Sequence, residues 1–123
     1  HYKNYGSSIS GLSYRAIQYG PVPANYDNIY AYLENEQLIS SQFLKLTNGG
    51  AREVFLSTAE FDKSLFSDEE LETLSNIKLK FANMSTWDIV DLSHLEKAWK
   101  ELEANRELIG YQDYAFELAM AIN

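Results

Sequence analysis

The spacing of apolar residues changes along the chain, and each change marks an element. Tyr26, Ile29, Tyr30 and Leu33 recur at i, i+3, i+4 and i+7, the stripe of one helical face, and predict a helix over residues 23–35. From Leu38 the period shortens to two. Leu44 and Leu46 alternate with polar neighbours, as do Val54 and Leu56, and the two runs flank Thr47-Asn48-Gly49-Gly50-Ala51. Asn-Gly suits tight turns whose central residues take positive φ, so Leu38–Ser57 predicts a β-hairpin. A lone hairpin is marginal, and one of its faces has to lie against helices.

Helical spacing then returns. Ser67-Asp68-Glu69-Glu70 is a capping box ahead of Leu71, Leu74, Ile77 and Phe81, predicting a helix over 68–83. Ser85-Thr86-Trp87-Asp88 repeats the device and opens a short helix bearing Ile89, Val90 and Leu92. Ser93-His94-Leu95-Glu96 has the form of a third box. It predicts a break near Leu92 and a new helix from Ser93 with Ala98, Trp99 and Leu102 facing inward. Tyr114, Leu118, Ala119 and Ile122 give a last helix of about ten residues. Tyr2–Gly6 has the form of a helix tail ending on glycine, and Leu12–Ile17 that of a short strand or extended segment.

Between these elements lies Tyr19-Gly20-Pro21-Val22-Pro23, followed by Tyr26-Asp27. Gly20 allows a turn, and the two prolines fix their own φ and push the preceding residues out of the helical region. Pro23 can occupy the first turn of the next helix. The stretch is expected to be a rigid corner that aims that helix. The whole chain, 1–123, therefore predicts one domain of α+β class, mostly helical: about five helices packed with one hairpin, in a winged-helix-like outline.

Composition narrows the function. Ten cationic against 18 acidic side chains give a net charge of −8, a field that repels phosphate backbones and suits a basic protein partner. Nucleic acid is thus not expected to bind through this segment. Nine tyrosines and two tryptophans supply half-apolar contact area. Cysteine is absent, which excludes disulfides and thiolate metal sites and fits a reducing, cytoplasmic compartment. No apolar run approaches the roughly 20 residues of a membrane span, and no membrane partner is expected. The sequence opens on His1 without a methionine, and is expected to be cut from a longer protein.

Candidate chemistry is sparse. Histidine occurs at His1 and His94 alone. A metal site would have to combine His94 with Asp91 and Glu96, and a nucleophile would have to be Ser93, whose adjacency to His94 does not aim its hydroxyl at the imidazole. No metal or cofactor is expected. His94 and its polar neighbours, set by the predicted cap and followed by Trp99, are instead expected to form a polar corner close to the Tyr19–Tyr26 turn.

Four stretches in order, Ile9–Tyr14, Tyr19–Pro23 with Tyr26-Asp27, Thr86–His94 with Glu96 and Ala98-Trp99, and Ile109–Tyr111 before Ala115–Leu118, together resemble the Panacea domain, also called the SocA-like antitoxin or phage-associated protein domain. Such domains usually begin with a further helix, whose last turn His1–Tyr5 resembles. The resemblance implies an antitoxin of a bacterial or phage type II toxin–antitoxin pair, whose partner is a cognate toxin protein and, for an adaptor, also a protease. It implies no catalytic residues. Tyr19, Gly20, Pro21, Pro23, Tyr26, His94, Glu96 and Trp99 carry over as the family's motif, in partner contact or scaffold. Two other readings compete. One is a transcriptional regulator using the helix–hairpin unit, with Arg15, Lys45 and Arg52 as its nearby cations, or an upstream helix-turn-helix. The other is a small hydrolase-like enzyme using His94 with Asp91 or Glu96.

Overall fold

Residues 1–118 are described in the computed structural model of the protein. They form two units, one from His1–Ala24 together with the segment after Lys63, the other from Asn25–Lys63. The observed class is α+β and mostly helical, as the spacing predicted, with six helices and two small antiparallel sheets among the described residues.

In the first unit, α1 (Tyr2–Tyr5) ends on Gly6, whose φ of 71° lets its N–H return to the Tyr2 carbonyl. The strands β1 (Tyr14–Ile17) and β2 (Gly20–Pro23) then pair antiparallel, Tyr14 opposite Pro23 and Ile17 opposite Gly20. This corrects the reading of Gly20–Pro23 as a corner into a helix. Both prolines lie in a strand, because proline φ is also extended and each proline makes its predecessor extended. The register explains why the sheet tolerates them. The Ala24 N–H donates to the Ser13 carbonyl, so Gly20, Val22 and Ala24 face β1 while Pro21 and Pro23 turn their missing donors to the outer edge. The other edge of β1 is covered by the chain's return at Glu107–Ile109: Ala16 N–H donates to Glu107 O at 3.1 Å and Ile109 N–H to Tyr14 O at 2.8 Å.

Helices follow on this sheet. α3 (Asp68–Phe81) and α4 (Thr86–His94) both start in complete capping boxes, on Ser67 with Glu70 and on Ser85 with Asp88. The third box is not formed. α4 runs through Ser93, whose hydroxyl donates to the Val90 carbonyl at 2.8 Å, and α5 (Lys97–Leu102) starts after Glu96, which caps it without a side-chain bond. A serine inside a helix can satisfy its hydroxyl on the preceding turn, and here that option wins over capping. The break itself is real, two residues beyond Ser93–His94. α6 (Tyr111–Tyr114) begins three residues before the predicted last helix and passes into a 3₁₀ turn at Ala115–Glu117, while Ala119 and Ile122 lie outside the described residues. α4 packs on β2 and α5 on β1. The buried centre is small: Ala16, Val90 and Ala115, with Gly20.

The second unit holds α2 (Tyr26–Asn35) and the antiparallel pair β3 (Ile39–Lys45) and β4 (Ala51–Ser57). The helix starts after Asn25, so Pro23 is not in its first turn. The hairpin is where the pattern placed it, but its loop differs. Gly49 alone takes positive φ, 85°, and its N–H bonds the Leu46 carbonyl, a three-residue loop rather than a two-residue one. Tyr30 of α2 stacks on Phe55 at 4.3 Å, so the helix lies on the face that Phe55 shares with Ile39 and Phe43. The leucine alternation marked the opposite face, where Leu44 and Leu56 remain exposed.

Candidate functional site

The tip of the β1–β2 hairpin is a two-residue loop, Gln18-Tyr19. Neither residue takes positive φ; the left-handed twist falls on Gly20, at 119°. Gly20 is buried against α4, and a Cβ there would lie 2.7 Å from Ser93 Oγ and 3.3 Å from Ser93 Cβ. Absence of a side chain is therefore required twice over, by backbone angle and by space.

Two ring donors from the α4–α5 junction hold the same tip. The Trp99 indole Nε1–H donates to the Ile17 carbonyl at 2.8 Å, and His94 Nε2 lies 3.0 Å from the Gln18 carbonyl. A carbonyl oxygen only accepts, so the His94 proton sits on Nε2. The junction's two-residue break folds α5 back far enough for the rings to stack at 3.7 Å, 18° from parallel. Trp99 is part-buried, where an unmatched indole N–H would cost free energy. Tyr19, on the outer side of the tip, meets Trp87 edge to face at 6.0 Å.

His94 does reach the Tyr19 turn, together with Trp99, through the Gln18 and Ile17 carbonyls, but the Ser93–Glu96 cap that was expected to hold it there is not formed. Pro21 and Pro23 stiffen the second strand. Glu96 starts α5. Tyr26 lies in the second unit. Two participants were missed. Ser93 was assigned to a cap, and Trp87 was counted as part of a helix; the box that starts α4 at Ser85 placed Trp87 in the first turn, and nothing in the spacing paired it with Tyr19.

The first unit also carries a half-open cavity of about 450 Å³, lined by Tyr14, Leu74, Ile77, Trp99, Tyr111 and Tyr114 among others. Burial, with Tyr14 beside it, pushes the Tyr111 hydroxyl up to about 12. At the cavity's edge Tyr114 donates to Glu101 at 2.8 Å, which raises its pKa, and Lys97 pairs with Glu117 at 2.7 Å.

The requirements of the competing readings can be set against this geometry. The cavity wall includes Ser93 and Glu96 but neither Asp91 nor His94. His94 Nε2 is engaged by a carbonyl, and the Ser93 hydroxyl donates to Val90. Among the described residues no cluster of three or more His, Asp or Glu could hold a metal ion. For nucleic acid, Lys45 and Arg52 sit at register positions that project to opposite faces of the β3–β4 sheet, and Arg15 donates to the Arg106 carbonyl. Among the described residues no helix is long and apolar enough to cross a membrane.

Fold and site define a mixed, mostly helical protein whose distinguishing feature is a short proline-edged hairpin clamped by a stacked histidine and tryptophan. The family model for the SocA-like antitoxin, Panacea domain, matches residues 1–100, a span that contains the whole clamp. The chain belongs to that family. No curated protein and no solved structure matches it.

Proposed function

We propose that this protein is the antitoxin of a type II toxin–antitoxin pair in the bacterial or phage cytoplasm, and that it neutralises its toxin by direct binding without catalysing a reaction. The observation that carries this reading is the family match over residues 1–100. The geometry supports a binding role in a specific way. His94 and Trp99 fix two successive carbonyls, Ile17 and Gln18, on the incoming side of the hairpin tip, Gly20 lets it seat against α4, and Pro21 and Pro23 hold its second strand extended. These residues are framework. What they present is Tyr19, a rigid amphipathic ring at the protein surface, whose contact with a partner loses little side-chain entropy. The net charge of −8 speeds encounter with a toxin of opposite sign.

Co-expression with the product of the neighbouring gene tests the proposal. Growth arrest caused by that product should be relieved by this chain and the two should co-purify. Arrest that proceeds unchanged refutes the antitoxin reading. Following toxin abundance in the same cells separates occlusion from an adaptor role: occlusion leaves the toxin level constant, whereas delivery to a protease lowers it.

A further inference from the structure

Tyr19 and Trp87 are 57% and 64% exposed, yet they contact each other edge to face. Large aromatics left this open on a framework this well fixed are contact groups in waiting. Tyr19 is anchored through the carbonyl before it, bonded to His94, and through Gly20 after it, seated on Ser93. Trp87 is anchored because the Ser85–Asp88 capping box fixes the first turn of α4. One helical turn further on, at i+4 from Trp87, stands Asp91, which is exposed and whose carboxylate makes no hydrogen bond or ion pair among the described residues. Met84–Leu95 carries Asp88 and Asp91 and no lysine or arginine. The patch is therefore aromatic and negative together.

We infer that the Tyr19–Trp87 pair with Asp91 is the primary docking point for an arginine presented by the toxin, an inference that rests on the antitoxin reading proposed above. The chemistry matches a guanidinium better than an ammonium. A guanidinium is planar, stacks on the open indole face, and offers a fork of N–H donors to the Asp91 carboxylate one turn away. Lysine supplies a point charge and no flat face. A base or a phosphate is disfavoured by the carboxylates, and so is an anionic lipid surface.

The test is the affinity of the full-length chain for the neighbouring gene's product, measured by calorimetry at two salt concentrations. Circular dichroism checks the folding of each variant. Trp87→Ala should weaken binding by about 30-fold, as an interface anchor does, and Trp87→Phe by only about three- to fivefold. Asp91→Asn should weaken it by about fivefold and make it less salt-sensitive, because the removed contact is ionic. An octa-arginine peptide should displace the toxin at lower concentration than octa-lysine. Phe43→Ala, in the second unit, should leave affinity unchanged. Wild-type rescue of growth combined with unchanged affinity of both Trp87→Ala and Asp91→Asn overturns the docking point while leaving the antitoxin reading intact. Failure of the wild-type chain to bind or rescue removes both. A Trp87→Ala variant that dissociates a homodimer but keeps its toxin affinity would assign the patch to self-association and overturn the inference. Should Trp87→Ala fail to fold, Trp87→Phe with Asp91→Asn decides the matter, and equal affinity of both with wild type overturns it.

Discussion

Gly20→Ala attacks the fold at its tightest point. The substitution forces alanine to φ 119°, which costs about 1–2 kcal/mol for a residue with a Cβ. The new methyl group would stand 2.7 Å from Ser93 Oγ, so that hydroxyl must rotate away and give up its bond to the Val90 carbonyl, about 1 kcal/mol. The 3.3 Å approach to Ser93 Cβ cannot be relieved by rotation and requires β2 and α4 to separate by a few tenths of an ångström, roughly 0.5–1 kcal/mol. Against this, alanine restricts the unfolded chain more than glycine and returns about 0.4–1 kcal/mol. The net expectation is a loss of about 2–3 kcal/mol, and a fall in Tm on the order of 10 °C for a chain of this size. Thermal and urea unfolding measure it. A double-mutant cycle with Ser93→Ala isolates the hydroxyl clash, because that clash exists only when both the methyl and the hydroxyl are present; the coupling should be about 1 kcal/mol. A Gly20→Ala protein within about 0.5 kcal/mol of wild type, or a cycle with no coupling, would refute the seating of the hairpin on Ser93.

Three further outcomes follow from other contacts. Trp99→Phe keeps a ring for His94 to stack on but deletes the Nε1–H, so it should cost about 1–2 kcal/mol and speed amide hydrogen exchange across β1 and β2; unchanged exchange would show that the indole does not hold the hairpin. Ser85→Ala removes one half of the α4 capping box and should cost about 1 kcal/mol, and it should also raise the Asp88 pKa, since the Ser85 side chain is the largest influence holding that carboxylate below its ordinary value. Tyr111 titrates at about 12 in the folded chain against about 10 when unfolded, so above pH 10 the unfolded state loses its proton first. Its contribution is complete below pH 10 and is lost as pH climbs toward 12; urea midpoints at pH 9 and 11.5 should diverge in wild type and converge in part in Tyr111→Phe, and identical divergence in the two would place the effect elsewhere.

Much of the secondary structure could be read from local chemistry. Ser67 and Ser85 announce helix starts because a hydroxyl and a carboxylate three residues apart satisfy backbone N–H groups that lie within the same turn. Asn48-Gly49 announces the hairpin because only a few residue types take the backbone angles that reverse a chain so sharply. Where two local solutions compete, sequence cannot choose between them. Ser93 could cap a helix or bond the preceding turn, and Pro21 and Pro23 could bend the chain or stiffen a strand; both options are good locally, and packing selected the second each time. The clamp was half legible. Its residues were singled out by likeness to a family, and His94 was expected near the Tyr19 turn, although the cap invoked to hold it there is not formed. That two rings would serve two successive carbonyls 76 and 82 positions away was not.

What the chain dictates by itself is therefore every feature whose partners lie within about one helical turn or one reversal of each other: caps, helix stripes, the second hairpin, and the sign of the electrostatic field. Tertiary structure alone decided that Gly20–Pro23 is a strand, that Glu107–Ile109 returns to cover the far edge of β1, and that Trp87 comes to rest against Tyr19. The reason is that an unpaired carbonyl or an uncovered edge can be satisfied by any donor the fold brings near, and which donor arrives depends on distant segments whose approach leaves no mark on local spacing.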